Sequence, residues 1–544
     1  MNKNILYIVL FAGILFSSCN DFLKEDPKGK LTAETYFATQ KELDMSMYAL
    51  YQKVNNTQIY TNMQYPQWQG DDITANPGSN KQACAEMDKF AVTNNNKGVR
   101  DSWNMHYNLV KAANYIILNA ERTPTTKEEI NIAIGNAKFW RAYAYFYLVR
   151  LYGPLPLNLD NVNDDYTRKL SSVEEVYAQI LKDLEDAEKV LPVNYSGAPR
   201  SLFGVNVYVT EPAVKSTLSA VYMAMAGYPL NKADYYAKAA AKAKEVIDGV
   251  KGGKYNFALD KEYKNVYSMG NNYNNETVLG INYSPFGDWS QDSELTSCCL
   301  FESLGGWGDA WGEIRFWKRF PDGPRKAATY DPKLRVEVTE TVNGKDEKKV
   351  IFRDWWEHQP ERHPMFSVFT VNIDNGVNVA APYDYTLPPS RKMCNDHRHR
   401  LIRYSEVLLW YAEAKARSGA ADDLARQCLK DVRTRAVEQS EINVVNGVSI
   451  DAMSADQLAE AAYDEHGWEV AGYWVALVTR RADQFRMNRL KETFAERAAN
   501  NPIEVAPGVT VTESVELTNK SWNDNLMYLP YPEADSQKNP NLVR

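Results

Sequence analysis

The sequence predicts a mainly α fold, in which paired helices build a scaffold and one long irregular, loop-rich insertion containing short strands interrupts them. Three observations predict it: apolar residues recur at helical spacing behind capping-box pairs, successive helical segments carry alanine seams, and between residues 255 and 400 this texture gives way to glycines and short strand-like runs.

At the amino terminus Lys3 precedes an unbroken apolar run from Ile5 to Phe16, followed by Ser17, Ser18 and Cys19. That is the layout of a signal peptide over residues 1–18. A spanning helix would need about 20 apolar residues, more than this run supplies. Small residues directly before a cysteine resemble the bacterial lipobox, which makes Cys19 the expected lipidated first residue of the mature chain. Phe16 stands where that pattern usually has leucine, so cleavage without lipidation is the alternative. Residues 19–38, with Asp21, Glu25, Asp26, Pro27 and Gly29, read as a polar tether.

The helices follow. Thr39 and Glu42 have capping-box spacing, and Leu43, Met47, Leu50 and Val54 form the stripe behind them. The segment Asp101 to Arg122 carries Trp103, Tyr107, Val110 and Ile117 on one side. Thr126 and Glu129 open a helix that runs to Tyr152, where Gly153 and Pro154 stop it. Its AKFWRAYAYFYLVRLY segment is aromatic on nearly every side, which predicts burial. Ser172 and Glu175 open another, with Val176, Ile180, Leu184, Ala187 and Leu191 as its stripe and Pro192 as its end. Helices over 213–228 and 232–248 come next. These antiparallel pairs look like tetratricopeptide units, although long insertions break the roughly 34-residue period.

In the insertion, VLGINY, GGWGDAWGEIRFW, KKVIFRDWW and FSVFTVNI are the strand-like runs. Val407, Leu408 and Tyr411 before Gly419, then Leu424, Cys428 and Val432, mark the return of helices. The expectation is one discontinuous domain over 39–544: scaffold at 39–250 and 400–500, ligand-face insertion at 255–400, irregular segment at 501–544. Loops on a rigid scaffold are where binding usually resides.

Composition excludes several functions. A net charge of −8 over 544 residues disfavours nucleic acid as a partner. With Cys19 spent on lipid, the five cysteines left are an odd number and imply no disulfide framework; adjacent Cys298 and Cys299 read as packing. None of the six histidines falls in a HExxH spacing, and His397 and His399, interleaved with Arg398 and Arg400, read as a cationic loop. The oxygen-rich runs at 160–165 and 372–376 lack the pattern of a calcium loop and read as turns. No catalytic residue, metal site or cofactor is called. A pair of glycosidase carboxylates among 70 acidic residues stays open, with nothing pointing to it.

Five pieces in order carry a family resemblance: CNDFLKEDPKGKLTAETYF, AKFWRAYAYFYLVRLYGPLPL, SSVEEVYAQILKDLEDAEKVLP, RYSEVLLWYAEAKARSG with DVRTRA, and the closing LPYPEADSQKNPNLVR. Together they resemble the RagB/SusD family over nearly the whole chain. One departure lies in 464–485, where His466 and Tyr473 stand at positions that usually hold arginine. The resemblance implies a non-catalytic, lipid-anchored outer-membrane protein facing the cell exterior. It would capture nutrient oligomers, glycans or in some members peptides, and close over a SusC-type TonB-dependent transporter.

Sugar rings stack on tryptophan while their hydroxyls seek Asp or Asn at the edge. The candidate ligand residues are therefore Trp68 with Asp71 and Asp72, then Trp307 and Trp311 with Asp309, then Trp289 beside Asp288 and Gln291. Each tryptophan has an alternative as a loop residue folded onto the core. Of adjacent Trp355 and Trp356, only one could face a ligand from a strand. Trp103 and Trp140, on helical stripes, are expected in the core.

Overall fold

The Thr39 hydroxyl accepts a hydrogen bond from the Glu42 amide (3.3 Å) and so starts helix α1 (Gln40–Asn56) where its capping pair predicts. The structure, a computed structural model, describes residues 36–161, 166–283, 293–369, 373–374, 377–378 and 396–543. Cys19 and its tether as far as residue 35, Trp289 with its neighbours, and most of the two oxygen-rich runs lie outside the described residues.

Helix α2 (Lys97–Asn119) begins before Asp101, because the Asn96 side chain accepts from the amides of Gly98 and Val99 and supplies the cap. Helix α3 (Lys127–Tyr152) is capped by Thr126 and ends at Gly153, whose φ of +69° favours glycine. Glu129 does not complete that capping box; its carboxylate pairs with Arg200 instead. From Phe139 to Tyr152 every residue of α3 is buried, as its all-round aromatic pattern predicts. Ser172 and Glu175 do form a full capping box on α4 (Val173–Glu188), which stops short of Pro192. Then come α5 (Glu211–Ala226) and α6 (Tyr235–Lys251), each displaced by two or three residues from its expected span. After the insertion the scaffold resumes with α7 (Tyr404–Arg417), α8 (Asp423–Arg433) and α9 (Ala455–Glu469).

Packing follows chain order. Helix α1 lies on α2, α2 on α3, and so on to α6; α7 packs on α6 across the insertion, and α8 and α9 pack on α7. Each helix meets chiefly its neighbours, the logic of a helical solenoid, and the mainly α scaffold is borne out. One apolar cluster runs from Phe37 to Leu542.

The insertion is closed at its base by strands Thr277–Ile281 and His399–Arg403, which pair antiparallel. Glu276 at the start of the first strand and Arg325 within the insertion join a buried network with Arg403, Arg435 and Glu469 of the scaffold. Glu469 meets all three guanidiniums at 2.8–2.9 Å. Burial pushes its carboxyl up, but those three cations outweigh it and hold it at about 2. The KKVIFRDWW run supplies strand Lys345–Arg353, paired with Leu334–Val342 through a tight turn at Asn343–Gly344. Of the FSVFTVNI run, Phe366–Phe369 is not a strand, Phe366 making a single bridge to Tyr330 and Phe369 packing in the core, whereas its last residue Ile373 opens the two-residue strand Ile373–Asp374, paired with Val377–Asn378.

His397, Arg398, His399 and Arg400 are not a cationic loop. All four are buried, where the second strand of the closing pair enters the core. Burial, followed by the charge of Arg400, pushes the His399 imidazole down to about 3. At the carboxyl terminus the chain straps the end of α3: the Leu529 amide donates to the Leu151 carbonyl, the Tyr531 hydroxyl to that of Pro154 and the Asn539 amide to that of Arg168.

Candidate functional site

The first two groups of candidate residues come together. The 3-10 helix Thr61–Gln69 carries Trp68, and strand Ile73–Thr74 just beyond it pairs with Trp311–Gly312 of the insertion. The Trp68 indole NH donates to the Asp309 carbonyl at 2.9 Å. Contact between the two segments, however, buries most of their side chains.

Trp68 is 0 % exposed and packs edge-on against Tyr65 and tilted against Trp474. Trp311 is buried between Phe301 and His363. Neither ring offers a face to a ligand, so both are corrected to core residues; a large apolar surface gains more from burial than from solvent. Asp71 and Asp72 are likewise spent inside. Arg480 grips Asp71 through two hydrogen bonds of 2.7 and 3.1 Å, and Asp72 accepts from the Gly472 amide at 2.8 Å. Burial raises the Asp71 carboxyl, but Arg480 outweighs that and holds it below the usual range. Asp72 has no such cation in contact; burial and the neighbouring Asp71 push it up to about 7. Asp309 pairs with Lys81, whose ammonium also lies 3.8 Å from Glu302. Trp103 and Trp140 are core residues, as expected.

Trp307 differs. It is half-buried, with one side packed on the main core. A glycine turn sets its position. Gly305 and Gly308 have φ of +92° and +61°, and a Cβ on Gly306 would fall 2.0 Å from the Leu300 carbonyl oxygen. The Trp307 amide donates to the Ser297 carbonyl at 2.7 Å, fixing the turn to the short helix Leu295–Cys299. Beneath it Cys298 and Cys299 are buried thiols, pushed well above their ordinary value by burial and thus inert packing. Glu294, also buried, is raised to about 8 chiefly by burial, although it accepts from the Thr61 amide. The turn thus holds the backbone of a half-buried tryptophan, in the same stretch of chain as Glu302 and Asp309, which meet Lys81.

The family models and relatives agree with this architecture. One model, "Starch-binding associating with outer membrane", matches residues 21–223, and a second, "SusD family", matches residues 368–544. A SusD-like protein of Bacteroides ovatus is 23 % identical over 99 % of this chain and 97 % of its own length. The chain belongs to the SusD/RagB family. Among solved structures, surface glycan-binding protein A from Bacteroides uniformis superposes with a TM-score of 0.65 at 20 % identity, covering 93 % of this chain and 99 % of its own. A laminarin-binding SusD-like protein gives 0.67 at 17 % identity, covering 92 % and 98 %.

Within this SusD-like frame, the two departures from arginine are filled by polar contacts. His466 bridges Asp483 and Glu406, and the Tyr473 hydroxyl accepts from the Arg400 amide at 2.7 Å. Sequence reading missed Lys81 and Glu302, which no local pattern links to Asp309. It placed Trp355 and Trp356 on a strand, whereas they form a single 3-10 turn with Trp355 buried and Trp356 half-buried against Trp317.

One constellation bears on catalysis. The Ser303 hydroxyl lies 2.8 Å from His358 Nε2 and donates to Glu361 Oε2 at 2.9 Å, and that carboxylate oxygen lies 3.4 Å from the same ring nitrogen. His358 Nδ1 has no hydrogen-bond partner, and the third group that orients a catalytic base is missing from that side. Among the described residues no cluster of His, Cys, Asp or Glu has the makings of a metal site.

Proposed function

We propose that this chain is a cell-surface lipoprotein that captures oligosaccharides or polysaccharide fragments and hands them, uncleaved, to a SusC-type TonB-dependent transporter. The observation that carries the reading is Trp307, a half-buried indole held by a glycine turn on the same scaffold that surface glycan-binding protein A shares along 93 % of this chain. A tryptophan on a fixed turn suits a sugar ring, whose apolar face stacks on an indole and whose edge hydroxyls need donors and acceptors nearby. Trp289, one of the three predicted groups, lies in a neighbouring stretch of sequence and is proposed as a second stacking residue. Lipidation at Cys19, after removal of residues 1–18, would anchor the chain to the outer membrane, with the tether as slack.

The test is binding of the purified mature chain to a panel of neutral and acidic oligosaccharides, with the ligand recovered after incubation. Saturable binding with the ligand undiminished is expected. New reducing ends would turn the reading toward a surface hydrolase, and indifference to every glycan together with binding to a protein digest would turn it toward a peptide binder.

A further inference from the structure

A groove of about 470 Å³ opens between the hairpin Ser201–Asn206, the chain just beyond the carboxyl-terminal end of α6 and the segment Asn274–Thr277, with no residue of the Trp307 turn in its lining. Nothing in the predicted site includes it. Amides and aromatic rings line it, and no carboxylate does. The single cation, Lys254, is held by Glu211 at 2.9 Å and is not free to select an anion.

The amides divide by use. Asn274 is structural, donating to the Val266 and Asn271 carbonyls. Asn194, Asn256 and Asn275 are exposed along the groove. Asn206 accepts from the Tyr195 amide through its oxygen, which fixes the direction of its NH2 group. At the floor Thr277 is buried.

The aromatic walls are Tyr195, Tyr255 and Phe257, with Phe203 at the hairpin tip. Phe203 is 74 % exposed and has φ of +51°, a region that a bulky side chain rarely occupies. Its ring meets Tyr273 at 4.7 Å, so the tip leans across to the segment that forms the opposite wall. A side chain this apolar, exposed and strained contributes little to folding, and it stands next to Gly204, which lines the groove.

We propose that this groove is a second carbohydrate site, taking a neutral oligosaccharide with Phe203 and Tyr273 as the stacking rim and Asn206, Asn256 and Asn275 as hydrogen-bonding partners. It rests on the glycan-capture reading for its ligand class, but on its own residues for its existence. Two sites built from different residues would let one chain hold a polymer at two points, which raises avidity without any new contact at either.

The experiment is titration calorimetry of the mature chain with a panel of neutral oligosaccharides, xyloglucan and laminarin fragments included, and a uronic-acid oligosaccharide as the charged control. Three proteins are compared: wild type, Trp307→Ala, and the triple variant Phe203→Gly, Asn256→Ala, Asn275→Ala, whose exposed substitutions spare the core and whose glycine relieves the φ at 203. Wild type should bind at two sites. Each variant should lose one, with the affinity there at least about tenfold weaker, the loss of roughly one hydrogen bond or stacking contact. A single site abolished by Trp307→Ala and untouched by the triple variant overturns the groove alone. A single site abolished by the triple variant keeps the groove and overturns Trp307. Preference of the groove for the uronic-acid control contradicts its neutral chemistry, and no binding by wild type to any neutral oligosaccharide overturns both.

Discussion

His466 lies 2.5 Å from Asp483 through Nδ1 and 3.5 Å from Glu406 through Nε2, buried with both. Burial alone would push the imidazole down; the two carboxylates outweigh it and raise it to about 9. Burial likewise raises Asp483, but Arg486 and His466 hold it well below its usual range. The signs follow. A raised histidine contributes stability in full below its unfolded value of about 6.5, and that contribution is lost as pH climbs through about 9. His466→Gln should therefore cost about 3 kcal/mol at slightly acidic pH, the order expected for breaking a buried pair. Melting temperatures of the two proteins across that window check this: the gap should narrow toward pH 9, and a gap independent of pH would contradict a charged imidazole. Single residues of this kind were only half legible in the sequence. The departure at 466 was visible, yet its partner Asp483 sits 17 positions on, and Asp71 meets Arg480 across 409 positions. Nothing in the local pattern distinguishes an aspartate that will be gripped by arginine from one that will face a sugar.

At the scale of elements, what was legible was what is local. The Ser172 and Glu175 pair closes a full capping box on α4, with hydrogen bonds between residues three apart. Ser172→Ala should cost about 1 kcal/mol in chemical denaturation, and a change within the error of the measurement would show that tertiary packing alone sets that helix start. Asn96 was missed as a cap because no glutamate or glutamine follows it three positions later; it works through the Gly98 and Val99 amides alone. The strands were less legible still. Thr277–Ile281 finds its partner 122 positions away in a run of alternating histidine and arginine, and arginine-rich polarity there disguised a buried strand. The Trp307 turn was legible as glycines around an indole, but not as the one half-buried ring of its group. That depends on the Leu300 carbonyl against Gly306, a contact that exists only once the chain has folded.

For the whole molecule, chain order became packing order, which is why a helical reading of the sequence predicted the scaffold while the insertion stayed irregular on the page. Among the described residues no helix is long and apolar enough to cross a membrane, and the anchor proposed here is the lipid on Cys19. Several acyl chains hold a protein firmly where one holds it marginally. Cys19→Ala should move the protein from the membrane fraction to the soluble fraction with its melting temperature unchanged. Persistence in the membrane fraction would contradict the lipid anchor.

The central claim is that Trp307, not the buried Trp68, meets the glycan. The most direct measurement is the affinity of Trp307→Ala and Trp68→Phe for an oligosaccharide that wild type binds at that surface, titrated at a temperature where both variants are folded. Trp307→Ala should weaken binding at that surface by about tenfold or more, the worth of one stacked ring, while Trp68→Phe loses stability and keeps its affinity. Undiminished binding by Trp307→Ala, or loss of binding by folded Trp68→Phe, would contradict the account.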